Sequence, residues 1–145
     1  MWIAHEDIPN RDLRLERLRD ALFADQPLFE ALILEVEGHP AGFCTFHTSF
    51  STYRGQLGIF LEDLFVRDSF QRSGLGKQLM AKLATVAKDR GCNRIVWNVP
   101  ADDGNLQRFY KGFGARKAEE WTMTLHGKPL DELALSAAEW TKKPK

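Results

Sequence analysis

Two cysteines, Cys44 and Cys92, are all that the sequence holds. They are too few for a disulfide framework and sit at no metal-ligand spacing. Each is read as a small apolar core residue, which fits a reducing cytoplasm. Net charge is absent as well: 20 Lys and Arg balance 20 Asp and Glu. A neutral chain lacks the basic excess of nucleic-acid binders and the acidic excess of disordered chains. The histidines His5, His39, His47 and His126 are scattered. None pairs with another His or Cys at ligand spacing, so no metal is expected. No apolar run reaches the ~20 residues that span a bilayer. The opening "MWIAHEDIPNRD" has no basic segment followed by an apolar one, so no signal peptide is read there. Neither nucleic acid nor membrane is an expected partner.

What is present suits one domain with one core. The chain has 145 residues, 43% of them hydrophobic and 28% charged, ordinary values for a globular protein. No repeat, linker or low-complexity segment divides it, so 1–145 is read as a single domain. In "NRDLRLERLRDALFA", Leu15, Leu18 and Leu22 recur at helical spacing. "EALILEV" (30–36) and "AGFCTFHTSF" (41–50) read as a hairpin around the turn "EGHP". "LGIFLEDLFV" (57–66) is a third strand, apolar on both faces and so central. A helix is predicted over 73–90, where Leu75, Leu79, Leu83 and Ala87 repeat every four residues. Beyond it come a strand over 93–99, a short helix in "NLQRFYKGF", one or two strands in "ARKAEEWTMTL" and a terminal helix in "LDELALSAAEW". The strand–helix–strand crossover calls for a parallel pair within an otherwise antiparallel sheet. The fold class is α+β.

Three groups of residues carry chemistry. "QRSGLGK", Gln71 to Lys77, follows a strand and opens a helix. A helix N-terminus has unpaired N–H groups and partial positive charge, and glycine lets an anion approach closely. Gly74 and Gly76 are two apart, which excludes the Walker spacing, and Leu79 stands where a dinucleotide loop needs its third glycine. On these residues alone, a plain helix cap is an equal reading. Glu62 and Asp63 interrupt the apolar third strand. Adjacent strand residues point to opposite faces, so only one serves a given pocket unless a bulge intervenes. They form either an ion pair with a neighbouring Lys or Arg, or cleft carboxylates that draw a cationic amine. Glu119, Glu120 and Trp121 are either charged residues at a sheet edge or an ammonium site.

"QRSGLG" fits Q/R-x-x-G-x-G/A, and the chain resembles the GNAT acetyltransferases over most of its length. "FLEDLFV", "FYKGFGA" and "EEWTMTL" are similar to the spermidine/spermine N-acetyltransferase branch and its bacterial relatives. The resemblance implies a mixed, mostly antiparallel sheet with a central splayed parallel pair flanked by helices. It implies acetyl-CoA as acyl donor, with its diphosphate on the backbone of Gln71, Arg72, Ser73, Gly74, Leu75, Gly76 and Lys77. The pantetheine arm would lie along Leu64, Phe65 and Val66, with Asn105 a further contact. Glu62 corresponds to a carboxylate proposed as base, Asp63 to one near the substrate, and Tyr110 to the general acid that protonates the departing thiolate. Glu120 and Trp121 would help bind the acceptor. A primary amine must lose a proton before it attacks, since an alkyl ammonium resembling Lys has a pKa of about 10.4.

The implied activity is N-acetyl transfer to a small cationic amine. A protein lysine or N-terminal acetyltransferase and a non-catalytic acyl-CoA-binding module are the alternatives. A homodimer in the cytoplasm is implied. The chain also departs from the family pattern. The first strand and helix are missing or shortened, making 1–27 atypical, and 141–145 reads as a frayed tail. Arg54 stands where the polyamine enzymes carry an acid, which argues against long polycations. Asp103 occupies the register of the usual cofactor-binding Asn, with Asn105 two residues on.

Overall fold

The computed structural model describes residues 11–119 and 122–140. The described elements run α1 (Arg11–Phe23), β1 (Glu30–Val36), β2 (His39–Ser51), β3 (Gln56–Val66), α2 (Leu75–Asp89), β4 (Ile95–Val96), α3 (Gly104–Lys111) and α4 (Lys128–Trp140). The chain separates into two compact units, 1–100 and 101–145.

In the first unit the sheet order is β1-β2-β3-β4, antiparallel except for β3 and β4, which are parallel. This is the expected mixed, mostly antiparallel α+β sheet, but the parallel pair, expected at its centre, stands at one end of the four described strands. Opposed residues share a face. Leu32, Cys44 and Leu64 stand in one row, and Glu30, Phe46 and Leu61 in another. Helix α2 packs on β1, β2 and β3. Its Leu79, Met80, Leu83 and Ala87 are buried, as are Cys44, Phe46, Ile59 and Leu61 of the sheet. The four-residue spacing in α2 therefore makes one core with one face of the sheet. Arg90, just past α2, ties that layer to the outer strand. Its guanidinium donates two bonds of 2.6 Å to Glu30 and lies 5.6 Å from the centre of the Phe46 ring.

The other face carries Ala31, Thr45 and Asp63 in one row and Ile33, Phe43 and Phe65 in the next. Helix α1 brings Arg14, Leu18 and Leu22 to this side. Of the three leucines spaced for a helix, Leu15 and Leu18 are exposed and Leu22 is half-buried.

Two predicted strands differ. The strand expected over 93–99 pairs only at Ile95 and Val96, opposite Ile59 and Phe60. No strand forms in 115–119 or 122–125, where one or two were expected. Alternation there is not met by a partner ladder, and a strand without one leaves its backbone groups to water.

In the second unit, α3 is capped by Asp103, whose Oδ1 accepts from the Leu106 amide at 2.9 Å. Helix α4 leaves Leu130, Leu133 and Leu135 exposed. The atypical start and the tail expected at 141–145 fall partly or wholly outside the described residues.

Candidate active site

Strand β3 carries one residue more than β2 can pair. Phe46 faces Leu61 and Thr45 faces Asp63, so Glu62 is the extra residue of a β-bulge. In a regular strand Glu62 and Asp63 would point to opposite faces. With the bulge, both line a cavity of about 640 Å³ on the α1 side of the sheet, a volume within the range of small-molecule sites. Phe43, Thr45 and His47 of β2 line the same cavity, as do Arg14, Leu18 and Leu22 of α1.

The acids are held without a strong cation. The Thr45 hydroxyl donates to Asp63 Oδ2 at 2.8 Å. His47 Nδ1 lies 3.3 Å from Glu62 Oε1, and the imidazole stacks on Phe60 at 5.4 Å between centroids. Among the described residues, no Lys or Arg pairs with either carboxylate. Among the described residues, these acids therefore do not form the ion pair with Lys or Arg that was the alternative reading. His47 is a site residue that sequence reasoning passed over as one of four scattered histidines. Its signal is the register: Phe60 is its cross-strand partner, and the bulge two residues later turns Glu62 toward it.

The glycine loop has the form expected. After β3 comes a 3-10 turn, Asp68–Phe70. Gln71 Nε2 donates to the Val66 carbonyl at 3.1 Å and to Asp68 Oδ1 at 2.7 Å, and the Ser73 hydroxyl donates to the Phe70 carbonyl. These side chains shape the loop from within. Arg72 and Gly74 take left-handed conformations, φ 61° and 83°. Gly74 caps α2 with no side-chain hydrogen bond. The Gln78 amide bonds back to the Gly74 carbonyl, so the amides of Leu75, Gly76 and Lys77 precede the helical ladder. A donor set of backbone amides at the start of a 15-residue helix suits a diphosphate. The β3–β4 ladder ends at Phe60 and Val96. Leu61 to Val66 thus have no β4 partner, and Leu64, Phe65 and Val66 lie on this parted stretch.

Tyr110 belongs to α3 in the second unit. The residue is buried, 7% exposed. It stands near edge-on to Phe109 and Phe113, at 5.1 and 6.3 Å between centroids. Burial pushes the phenol up to about 12. Asp103 serves as the helix cap, and Asn105 Oδ1 accepts from Arg108. Glu120 and Trp121 lie outside the described residues.

Arg54 is not part of this cavity. It lies in the β2–β3 turn, past the last pair, Ser51 and Gln56. Glu62 is six residues up the strand from Gln56, a run of ~20 Å. The charge reversal read at Arg54 therefore acts far from the acids. Among the described residues, no group of three or more His, Cys, Asp or Glu could hold a metal ion, and no helix is long and apolar enough to cross a membrane.

The model of the acetyltransferase (GNAT) family matches residues 2–115. The chain is 33% identical over 136 residues to a thialysine N-epsilon-acetyltransferase from Sus scrofa, covering 82% of this chain and 76% of that one. It is 32% identical over 83 residues to an L-ornithine N5-acetyltransferase from Arabidopsis thaliana, covering 57% of this chain and 36% of the relative. Among solved structures, an integron cassette protein from the mobile metagenome of V. cholerae superposes with a TM-score of 0.72 at 27% identity, over 82% of this chain and 76% of that one. The chain belongs to the GNAT acetyltransferase family, as an N-acetyltransferase.

Proposed function

We propose that this chain, acting as one domain, moves the acetyl group of acetyl-CoA to the primary amine of a small cationic acceptor held in the α1–β2–β3 cavity. The family takes acetyl-CoA as its donor. One observation carries the choice of acceptor: the bulge turns Glu62 and Asp63 into one cavity with no Lys or Arg partner among the described residues. Two carboxylates left without a cation attract an ammonium group. The relatives named for thialysine and L-ornithine act on amines of that size.

In this reading, Gly74 and the amides of Leu75, Gly76 and Lys77 bind the diphosphate, with Gln71 and Ser73 fixing the loop. Arg72 and Lys77, both exposed, add positive charge. Leu64, Phe65 and Val66 receive the pantetheine arm along the parted strand. Bound acetyl-CoA supplies a thioester. Glu62 receives, through water, the proton that the ammonium loses before its nitrogen attacks. Asp63, fixed by Thr45, holds the acceptor. Tyr110 gives its proton to the departing sulfur, and the second proton that the nitrogen sheds as the amide forms restores the phenol. A C–N bond replaces the C–S bond, and coenzyme A leaves as a thiol. Asn105, Glu120 and Trp121 are assigned supporting contacts by resemblance.

Location in the cytoplasm fits the two buried free thiols, Cys44 and Cys92. A homodimer fits the apolar residues that α4 leaves exposed, and sedimentation would measure it. The experiment for activity is release of free thiol from acetyl-CoA over a panel of diamines, polyamines, amino acids and lysine peptides. Release with short amines is expected. Tight binding of coenzyme A without release for any amine would instead make the chain a binding module.

A further inference from the structure

We propose that His47 completes the base of this site: the proton that the acceptor loses passes through Glu62 to the His47 imidazole. This rests on the acetyltransferase reading above and deepens it. The two side chains come from facing strands and line the same cavity. His47 pairs with Phe60 across the strands, and the bulge two residues on turns Glu62 toward it. Nδ1 lies 3.3 Å from Glu62 Oε1, within reach for proton transfer once the pair tightens around a substrate. The stack on Phe60, 5.4 Å between centroids, holds the plane of the ring.

With its proton on Nε2, an imidazole presents a lone pair at Nδ1. The ammonium gives a proton, through water, to Glu62, and Glu62 gives one to Nδ1. The imidazolium then releases a proton to solvent, which its 37% exposed side chain reaches, and the neutral ring is restored. The gain comes from where the proton rests. In model compounds an imidazole titrates at about 6.5 and a glutamate carboxyl at about 4.3, against about 10.4 for an alkyl ammonium. A proton resting on imidazole rather than carboxyl leaves ~10²-fold more acceptor neutral and reactive. Glu62 also keeps its charge, which faces the positive nitrogen as the C–N bond forms. Other charges share this face of the sheet. Asp63 of β3 and Arg14 and Arg19 of α1 line the cavity. Arg94, just before β4, crosses Gly58 one row from His47 and Phe60, so that a Cβ on Gly58 would lie 2.8 Å from its Nε. Among the described residues, Glu62 is the carboxylate that pairs with the His47 ring.

The test uses the full chain, thiol release from acetyl-CoA, and the fastest amine of the panel above. His47→Gln keeps a donor toward Glu62 but has no basic nitrogen. It should lower kcat at pH 7 by roughly 10- to 100-fold, with coenzyme A affinity kept. The deficit should narrow as pH rises toward about 10, where the acceptor arrives already neutral. Added imidazole should recover part of the rate, in proportion to its unprotonated form. A merely structural role predicts neither response. Unchanged turnover in His47→Gln overturns the proposal, as does a deficit that stays constant across pH or that imidazole does not relieve. If His47→Gln does not fold, the wild type alone decides: the acid limb of kcat/KM should move with temperature as imidazole ionisation does, and a limb as insensitive to temperature as a carboxyl overturns the relay. Loss of rate in Glu62→Gln with none in His47→Gln overturns only the role of His47. Failure of the wild type to turn over any amine overturns the acetyltransferase reading as well.

Discussion

Deleting one residue from the middle of a packed strand usually wrecks a fold, because every side chain beyond the deletion changes face. Deleting Glu62 should not. Leu61 already pairs with Phe46 and Asp63 with Thr45, so removing the residue between them leaves a regular ladder. Leu61 stays on the packed face and Asp63 stays opposite Thr45. The deletion removes the Glu62–His47 pair, whose side chains are 49% and 37% exposed, and such surface pairs contribute ~0–1 kcal/mol. Thermal unfolding should shift by no more than ~4 °C for a chain of this size. Deleting Phe60 is the control. It forces either Ile59, fully buried, or Leu61, 2% exposed, off the packed face. The lost burial and the cavity together cost about 3–5 kcal/mol, against a total stability of about 5–15 kcal/mol. Circular dichroism melts of the two deletions give the comparison. Turnover should still fall by ~10²-fold or more in the Glu62 deletion, since its proposed base is gone. If the Glu62 deletion is unfolded, or loses as much stability as the Phe60 deletion, the bulge assignment is wrong.

Gly74→Val should fold, because a Cβ there meets nothing within 4 Å, though a β-branched residue at φ 83° is strained by about 1–2 kcal/mol. It should lose coenzyme A affinity by ~10-fold or more as the added side chain crowds the amides; normal binding in calorimetry would remove the loop from the site. Tyr110→Phe should lower kcat by ~10²-fold with coenzyme A affinity kept, and unchanged turnover under rate-limiting chemistry would exclude it as the acid. Since burial holds that phenol at about 12, the wild-type pH profile should show no loss from its ionisation up to pH ~10. The Arg90 hydrogen bond holds Glu30 below its ordinary 4.5. A lowered folded-state pKa stabilises above the unfolded value and is lost as pH falls through the folded one. Glu30→Gln should therefore cost ~0.5–1 kcal/mol at pH 7, discounted for exposure, and the difference in urea unfolding should fade as pH drops below about 4; a constant difference down to acid pH would refute the linkage.

Much of the fold is legible in short-range pattern. The strand EALILEV begins and ends at Glu30 and Val36 as its composition suggests, and the four-residue repeat of α2 packs as read. These are local signals, carried by residues a turn or a pleat apart. The strand read over 93–99 shrinks to two residues, and none forms in 115–119 or 122–125, for the opposite reason. A strand exists only where a ladder accepts it, and the ladder available to β4 is two residues long.

The site divides along the same line. The loop from Gln71 to Lys77 is contiguous in sequence and takes the shape expected of it. The acceptor cavity is a relation between elements far apart in the chain. "FLEDLFV" names the two acids but holds no mark of the bulge, which exists only as a mismatch between Thr45–Phe46 and Leu61–Asp63. That mismatch decides the chemistry. Without it one acid would face α2 and the packed core, where an unpaired carboxylate is costly. With it, both acids, His47 and Arg14 line one cavity. The same relation leaves Arg54, in a turn ~20 Å along the strand, outside that cavity. A positional match to a family pattern could not reveal this, because it compares residues one at a time while the cavity is made by register.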